Sequence, residues 1–187
     1  MKVLVIPEDQ ENDQYIVKPV LERLFEDLGL SAQVTILPEP RLRGDQDALD
    51  RQLIAQIVTD RAPMTDLFLL VIDRDCNREK HEQRLQARVA EHGAKMLGVL
   101  AVQEIECWMM ALHEPSALGA RWQEIRDHCD SKEAYAEPLL AKLGSLGPGG
   151  GRKAAMRALK SNWKRLLDRC EELQDLRERI RAHFAKR

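Results

Sequence analysis

The chain has 187 residues, of which 44% are hydrophobic and 32% charged, a balance typical of a soluble globular domain. Its formal net charge of −2 excludes a polycation, and no run approaches the roughly 20 apolar residues that a membrane span requires. The four cysteines show neither Cys-x-x-Cys nor zinc spacing, so we expect neither a disulfide framework nor a zinc site. The apolar run at residues 3–6 is too short for a signal peptide, and we expect a cytoplasmic protein.

The apolar pattern of the first 112 residues predicts alternating strands and helices. Strands are predicted at residues 2–7, 33–37, 67–72 and 95–102, and helices at residues 13–28, 47–61, 77–92 and 103–112. Pro19 either marks the true start of the first helix or kinks it. This order predicts an α/β domain over residues 1–112, with a mostly parallel sheet of about four strands flanked by helices.

Residues 113–187 have a different pattern, which predicts a helical extension packed on the first domain and not an independent domain. Helices are predicted at residues 115–124, 133–143, 152–170 and 171–184, with a glycine-rich loop at 144–151. From residue 150 to the end there are 12 Lys and Arg against 5 Asp and Glu. A basic extension is compatible with an anionic or acidic partner.

Acidic residues follow three of the predicted strands: Glu8, the pair Asp73 and Asp75, and Glu104 or Glu106. The carboxyl ends of parallel strands share one edge of the sheet, where ligands bind in open α/β folds. Within a strand, Asp73 and Asp75 would point the same way because side chains alternate. Clustered carboxylates repel one another unless a cation separates them, and oxygen ligands favour Mg²⁺ or Mn²⁺. The alternative is that each acidic residue caps the helix that follows it.

A glutamate after the first strand and Asp-x-Asp after a hydrophobic strand resemble the pattern of TOPRIM domains, found in topoisomerases, primases and OLD-family nucleases. The segments at residues 6–9 (IPED) and 71–75 (VIDRD) carry this resemblance, which covers roughly residues 1–112. Where TOPRIM domains have Glu-Gly, this chain has Glu8-Asp9.

The segment at residues 103–108 (QEIECW) is similar to one in bacterial TOPRIM-like proteins of unknown function, which are associated with ATPases in phage defence. The resemblance implies a TOPRIM-like, Rossmann-like fold and Mg²⁺-dependent hydrolysis of nucleic acid in antiviral defence, with an ATPase partner. It assigns Asp73 and Asp75 to the metal, and Glu8 to the metal or to general acid/base catalysis. Glu106 is the preferred further ligand, ahead of Glu104.

A weaker signal lies at Gly150-Gly151, which open a predicted helix with Arg152 and Lys153 in its first turn. Backbone N–H groups and positive charge at a helix start can bind phosphate, so Arg152 and Lys153 are phosphate-binding candidates. The alternative is a glycine hinge followed by solvated basic residues, which explains the pattern too. The loop is not a Walker A motif, because no buried strand precedes it and Ala154 stands where Ser or Thr should be.

Two interpretations other than a nuclease are compatible with acidic residues at these strand ends. One is a non-catalytic nucleic-acid- or protein-binding module that retains the fold. The other is a receiver-like domain, which requires Ser or Thr after the fourth strand and a Lys after a fifth; Gln103 and Glu104 stand there instead, and no fifth strand is predicted. The five histidines have no metal spacing and are predicted to lie at the surface.

Overall fold

Four parallel β-strands form the centre of the protein; the first lies between the second and the third, and the fourth lies beside the third. The structure is a computed structural model that describes residues 1–76, 78–144 and 146–185. The strands are β1 (Lys2–Pro7), β2 (Gln33–Ile36), β3 (Leu67–Asp73) and β4 (Met96–Ala101). Leu67 to Ile72 are all buried, as expected for a central strand covered on both faces. The predicted α/β fold with a parallel, helix-flanked sheet is confirmed.

The helices that connect and follow the strands lie near their predicted positions, but the helix predicted at residues 103–112 is shorter, because Gln103 has a φ of 62° and helical structure begins only at Glu106. They are α1 (Gln14–Asp27), α2 (Asp45–Ala48), α3 (Arg51–Arg61), α4 (Arg78–His92) and α5 (Glu106–Met110). Pro19 lies inside α1, so the helix does not begin there. The predicted first residue of α4, residue 77, lies outside the described residues.

The single helix predicted at residues 47–61 is wrong, because the structure divides it into α2 and α3. Asp50 lies between them in an extended conformation, and its Oδ1 accepts a hydrogen bond from the Leu53 N–H at 2.8 Å. An Asp at this position caps a new helix, which ends the preceding one.

The C-terminal part is helical, as predicted, but is divided into more segments. It contains α6 (Pro115–Leu118), α7 (Trp122–Asp127), α8 (Glu137–Leu143), α9 (Arg152–Ala155), α10 (Leu159–Arg169) and α11 (Glu171–Ala185). The one helix predicted at residues 152–170 is interrupted by a 3₁₀ turn at Met156–Ala158 and has a kink at Asn162. The Asn162 side chain donates to the Leu112 carbonyl at 2.7 Å, a tertiary contact at the kink.

The C-terminal helices complete the hydrophobic core on one face of the sheet. Trp163, Leu173 and Leu176 belong to the same buried cluster as Val5 of β1 and Trp108 of α5. The opposite face is covered by α2, α3 and α4, in a second cluster. Burying one such large apolar side chain contributes about 1.5–3 kcal/mol, so the extension supplies a substantial part of the stability. In the ranges described, no helix is both long enough and apolar enough to cross a membrane.

Candidate functional site

Two of the predicted site residues meet at the carboxyl edge of the sheet. Glu8 directly follows β1, and Asp73 is the last residue of β3, which pairs with β1. The Asp73 backbone N–H donates a hydrogen bond to Glu8 Oε1 at 3.0 Å, and Asp73 Oδ1 in turn accepts from the Ile105 N–H at 2.8 Å. The two carboxylates are therefore held against the backbone of neighbouring strands and loops, and not at the tips of mobile side chains.

A third carboxylate, Asp13, joins them and was not predicted. It precedes α1 and is only 5% exposed. Asp9 forms the turn that places it there: Asp9 Oδ1 accepts from the Glu11 and Asn12 N–H groups, and Asp13 Oδ2 accepts from the Asp9 N–H at 3.0 Å. Asp9 therefore has a structural role at this turn. The available sequence signal was an Asp immediately before α1, close to the acidic end of β1.

These three carboxyl groups have raised pKa values. Burial, and then the charges of Asp75, Asp45 and Asp13, raise the pKa of Glu8 to about 8, against the hydrogen bond from Asp73. Burial, and then the charges of Glu106 and Asp9, raise the pKa of Asp13 to about 7. Burial and the neighbouring carboxylates also raise the pKa of Asp73 well above its usual value. The cluster holds protons near neutral pH and favours any cation that replaces them.

Glu106 lies at the same edge but already has cationic partners. It is 3% exposed at the start of α5, forms an ion pair with Arg152, and lies 3.8 Å from Lys132 Nζ. The Arg152 Nη1 also donates to the Gly149 carbonyl at 3.0 Å. Arg152 is thus a buried counterion of Glu106 and does not project from an exposed helix start, as a phosphate site would require. Only Lys153 is exposed, and its phosphate binding stays a prediction.

The other two predicted carboxylates lie farther out. Asp75 is exposed, beyond the end of β3, with φ of 48°. The premise that Asp75 continues the strand is wrong, because β3 ends at Asp73, so strand alternation does not relate the two side chains; the charge of Asp75 still acts on Glu8. Glu104 Oε2 accepts from Ser131 Oγ at 3.0 Å and from the Lys132 N–H at 2.6 Å. Glu104 therefore anchors the segment that carries Lys132.

His81 contradicts the prediction of a surface histidine, since it is 4% exposed on α4. Its Nδ1 lies 3.2 Å from the Asp73 carbonyl and 3.1 Å from the Arg74 carbonyl, and carbonyls only accept, so Nδ1 carries a hydrogen. Its Nε2 lies 3.5 Å from Asp45 Oδ2. His81 fixes the backbone that leads from β3 into the Asp75 loop.

The cysteines also differ from expectation, because Cys76 and Cys129 form a disulfide, with Cα atoms 5.6 Å apart. It joins the loop after Asp75 to the segment that leads to Lys132, a proximity that depends on packing between distant parts of the chain. Cys107 and Cys170 are free and buried.

The site is lined by oxygen donors, which are the ligands that Mg²⁺ and Mn²⁺ prefer. Glu8 and Asp13 lie in the connection between β1 and α1, and Asp73 ends β3; their mutual repulsion is of the kind that a divalent cation relieves. Their chemistry therefore fits such an ion. In the arrangement described for residues 1–76, 78–144 and 146–185, no three Asp, Glu, His or Cys side chains already have metal-binding geometry.

The fold and this edge define a Rossmann-like α/β protein with a buried acidic cluster at the carboxyl ends of its central strands. Comparisons with protein-family models, curated proteins and solved structures give no match for the chain.

Proposed function

We propose that this protein is a Mg²⁺- or Mn²⁺-dependent nuclease that hydrolyses phosphodiester bonds of nucleic acid at the carboxyl edge of its sheet, as its resemblance to TOPRIM-like proteins implies. The observation that carries the proposal is the convergence of Glu8 and Asp13, from the connection between β1 and α1, with Asp73 at the end of β3, all with raised pKa values. Perturbed carboxyl groups clustered where α/β folds bind ligands are characteristic of functional sites.

In this proposal Glu8, Asp13 and Asp73 hold the metal, with Asp75 at the exposed side of the site. A divalent cation supplies Lewis-acid charge and lowers the pKa of a bound water. The alternative role for Glu8 is general acid/base catalysis without contact to the ion, for which its pKa of about 8 in the metal-free protein is suitable. Glu106 stays a candidate further ligand, which would require it to exchange its present cationic partners.

Lys132 is the cation that we expect to meet the substrate. Its side chain is 38% exposed, and the charge of Glu106 is the main cause that raises its pKa, so it stays protonated. Its backbone is held on Glu104. An ammonium group at the rim of the cluster lowers the repulsion between the carboxylates and a phosphodiester, and stabilises negative charge on its oxygens. Arg152 is buried and cannot serve in this way without leaving Glu106.

The test is cleavage of plasmid DNA, single-stranded DNA and RNA with Mg²⁺ or Mn²⁺. Wild-type protein should cleave at least one of them, and both chelator and Asp73→Asn should abolish the activity. Glu22→Gln is the matched control, since Glu22 is an exposed carboxylate on the outer side of α1 and its loss should change nothing. Cleavage that survives Asp73→Asn would place the activity elsewhere or in a contaminant.

The same resemblance implies a cytoplasmic role in antiviral defence with an ATPase partner, and we include both in the proposal. Co-expression with such an ATPase should then raise cleavage in a manner that depends on ATP. If the ATPase does not change the activity, the partner is removed from the proposal, and the metal-dependent hydrolysis remains.

A second candidate function is a non-catalytic binding module with the same fold. It is favoured by one observation: Glu106 is already neutralised by Arg152 and approached by Lys132, so part of the acidic site needs no metal. Binding of nucleic acid or protein without cleavage in Mn²⁺, with or without the ATPase, would support this alternative.

A further inference from the structure

The segment from α9 to α10 carries basic residues on two sides, and the two sides differ in their surroundings. Arg165 pairs with Glu114 at the surface, and Arg169 Nη1 donates to the Ala111 and His113 carbonyls at 3.1 and 2.7 Å. Arg152, at the start of the segment, pairs with Glu106. These cations are occupied by internal partners, so the net positive charge of the C-terminal part does not by itself define a binding surface.

The outward side is different. Lys153, Arg157, Lys160 and Lys164, here called the basic strip, are all exposed. None of the four forms an ion pair with any residue that the structure describes. Between them, the apolar side chains of Met156, Leu159 and Trp163 are buried. The segment is therefore anchored by its apolar side and presents a row of four cations to solvent.

The position of the basic strip points to its partner. Lys153 directly follows Arg152, whose guanidinium binds Glu106 at the acidic edge, and the strip leads away from that edge along α10. The four cations recur at intervals of four, three and four residues, and all remain exposed across the 3₁₀ turn at Met156–Ala158 and the kink at Asn162. Because a nucleic acid carries one phosphate at every nucleotide, a row of exposed cations at these intervals can contact several phosphates of one strand.

We propose that the basic strip binds the sugar-phosphate backbone of a nucleic acid and leads it to the acidic cluster. Charge complementarity argues for a polyanion, and the adjoining carboxylates argue for one that extends past the strip to a site of phosphodiester chemistry. The inference rests on the proposed function for its direction, since it identifies how the substrate of that site is held. Interactions of this kind position the strand without reading its sequence.

The test is binding of a fluorescein-labelled 20-nucleotide single-stranded DNA by anisotropy, over a salt series, in EDTA so that no cleavage occurs. Lys160→Gln/Lys164→Gln should weaken binding at least tenfold at low salt. It should also reduce the slope of log K against log salt by about 1.4, or ~0.7 for each phosphate that the variant no longer neutralises. The matched control is Lys2→Gln/Lys95→Gln, which removes the same charge from exposed residues at the opposite edge of the sheet and should alter the slope far less.

Equal weakening in both double variants would overturn the inference, because only net charge would then matter. Unchanged DNA binding by the Lys160→Gln/Lys164→Gln variant would overturn the inference as well. If that variant also lost binding to phosphatidylserine vesicles, the strip would bind a membrane surface and not a nucleic acid. Failure of the proposed function is distinguishable: strip-dependent binding without cleavage in Mn²⁺ leaves the inference standing and removes the hydrolysis. Cleavage that requires Asp73 but is unchanged in the strip variant supports the hydrolysis and overturns the inference.

Discussion

The Asp73 backbone N–H donates a hydrogen bond to the Glu8 carboxylate at 3.0 Å, although the two residues are 65 positions apart. The bond joins the carboxyl ends of the two central strands, and it places the Glu8 side chain beside the Asp73 carboxyl group. A negative charge on Glu8 is thereby partly satisfied, but burial still raises its pKa to about 8. Ionisation of these buried carboxyl groups therefore destabilises the folded protein when no metal is bound.

We expect Glu8→Gln to stabilise the metal-free protein while abolishing metal binding. The amide oxygen can still accept from the Asp73 N–H, but the buried charge is gone, so the free energy of unfolding at pH 8 should rise by about 2 kcal/mol. Urea denaturation in EDTA measures the first effect, and Mn²⁺ titration followed by electron paramagnetic resonance measures the second. A variant that is less stable than wild type by a similar amount would contradict this account of the site.

The stability of the metal-free protein should fall as the pH rises from about 5 to 7. Glu8 and Asp13 have folded pKa values of about 8 and 7, above the 4.5 and 3.8 of the unfolded chain, so the folded state retains protons that the unfolded state has released. The stabilisation from these protons is fully present below the unfolded-state pKa values, and it is lost as the pH rises through the folded-state pKa values. Each retained proton contributes about 1.4 kcal/mol per pH unit.

Denaturation in EDTA at several pH values checks this slope, and Glu8→Gln/Asp13→Asn provides the control. The double variant should show a flatter profile than wild type over the same range. Saturating Mg²⁺ should also flatten the profile of the wild-type protein, since the cation takes the place of the retained protons. A wild-type stability that rises between pH 5 and 7 would show that other groups dominate.

Arg152→Met should destabilise the protein by about 3 kcal/mol or more, because it leaves the buried Glu106 carboxylate with Lys132 as its nearest cation. Glu106→Gln/Arg152→Met should recover much of that stability, since neither charge is then buried. Arg157→Met, on the exposed side of the same segment, serves as the control and should change stability by about 0.5 kcal/mol at most. Equal effects of Arg152→Met and Arg157→Met would rule out the buried ion pair.

Reduction of the Cys76–Cys129 disulfide should lower the free energy of unfolding by up to about 4 kcal/mol, the entropic effect expected for closing a loop of 53 residues. Cys129→Ser should have the same effect and should make the protein insensitive to reductant. Thiol labelling supplies an independent check: the oxidised native protein should not react, because Cys107 and Cys170 are buried, and the reduced protein should label at two positions. Two reactive thiols without reductant would mean that the bond is absent.

The sequence alone predicted those features that follow from local pattern. An unbroken apolar run at Leu67 to Ile72 indicates a buried strand whatever surrounds it, and the alternation of such runs with amphipathic segments indicates a parallel sheet. Glu8 and Asp73 could be placed together for the same reason, since the ends of parallel strands share an edge. The helix boundary at Asp50 was missed although Asp is a common capping residue, because the apolar pattern continues across it.

What the tertiary structure decided depends on interactions between residues far apart in the chain. Asp13 joins the cluster only through the turn at Asp9, and Arg152 reaches Glu106 across 46 positions. Cys76 meets Cys129 across 53 positions. The orientation of helices packed on the sheet determines all of these distances. The hydrophobic periodicity of a single segment carries no information about that orientation. The sequence by itself therefore determined the sheet and its acidic edge, whereas the packing of the C-terminal helices determined which charges at that edge are paired and which are exposed.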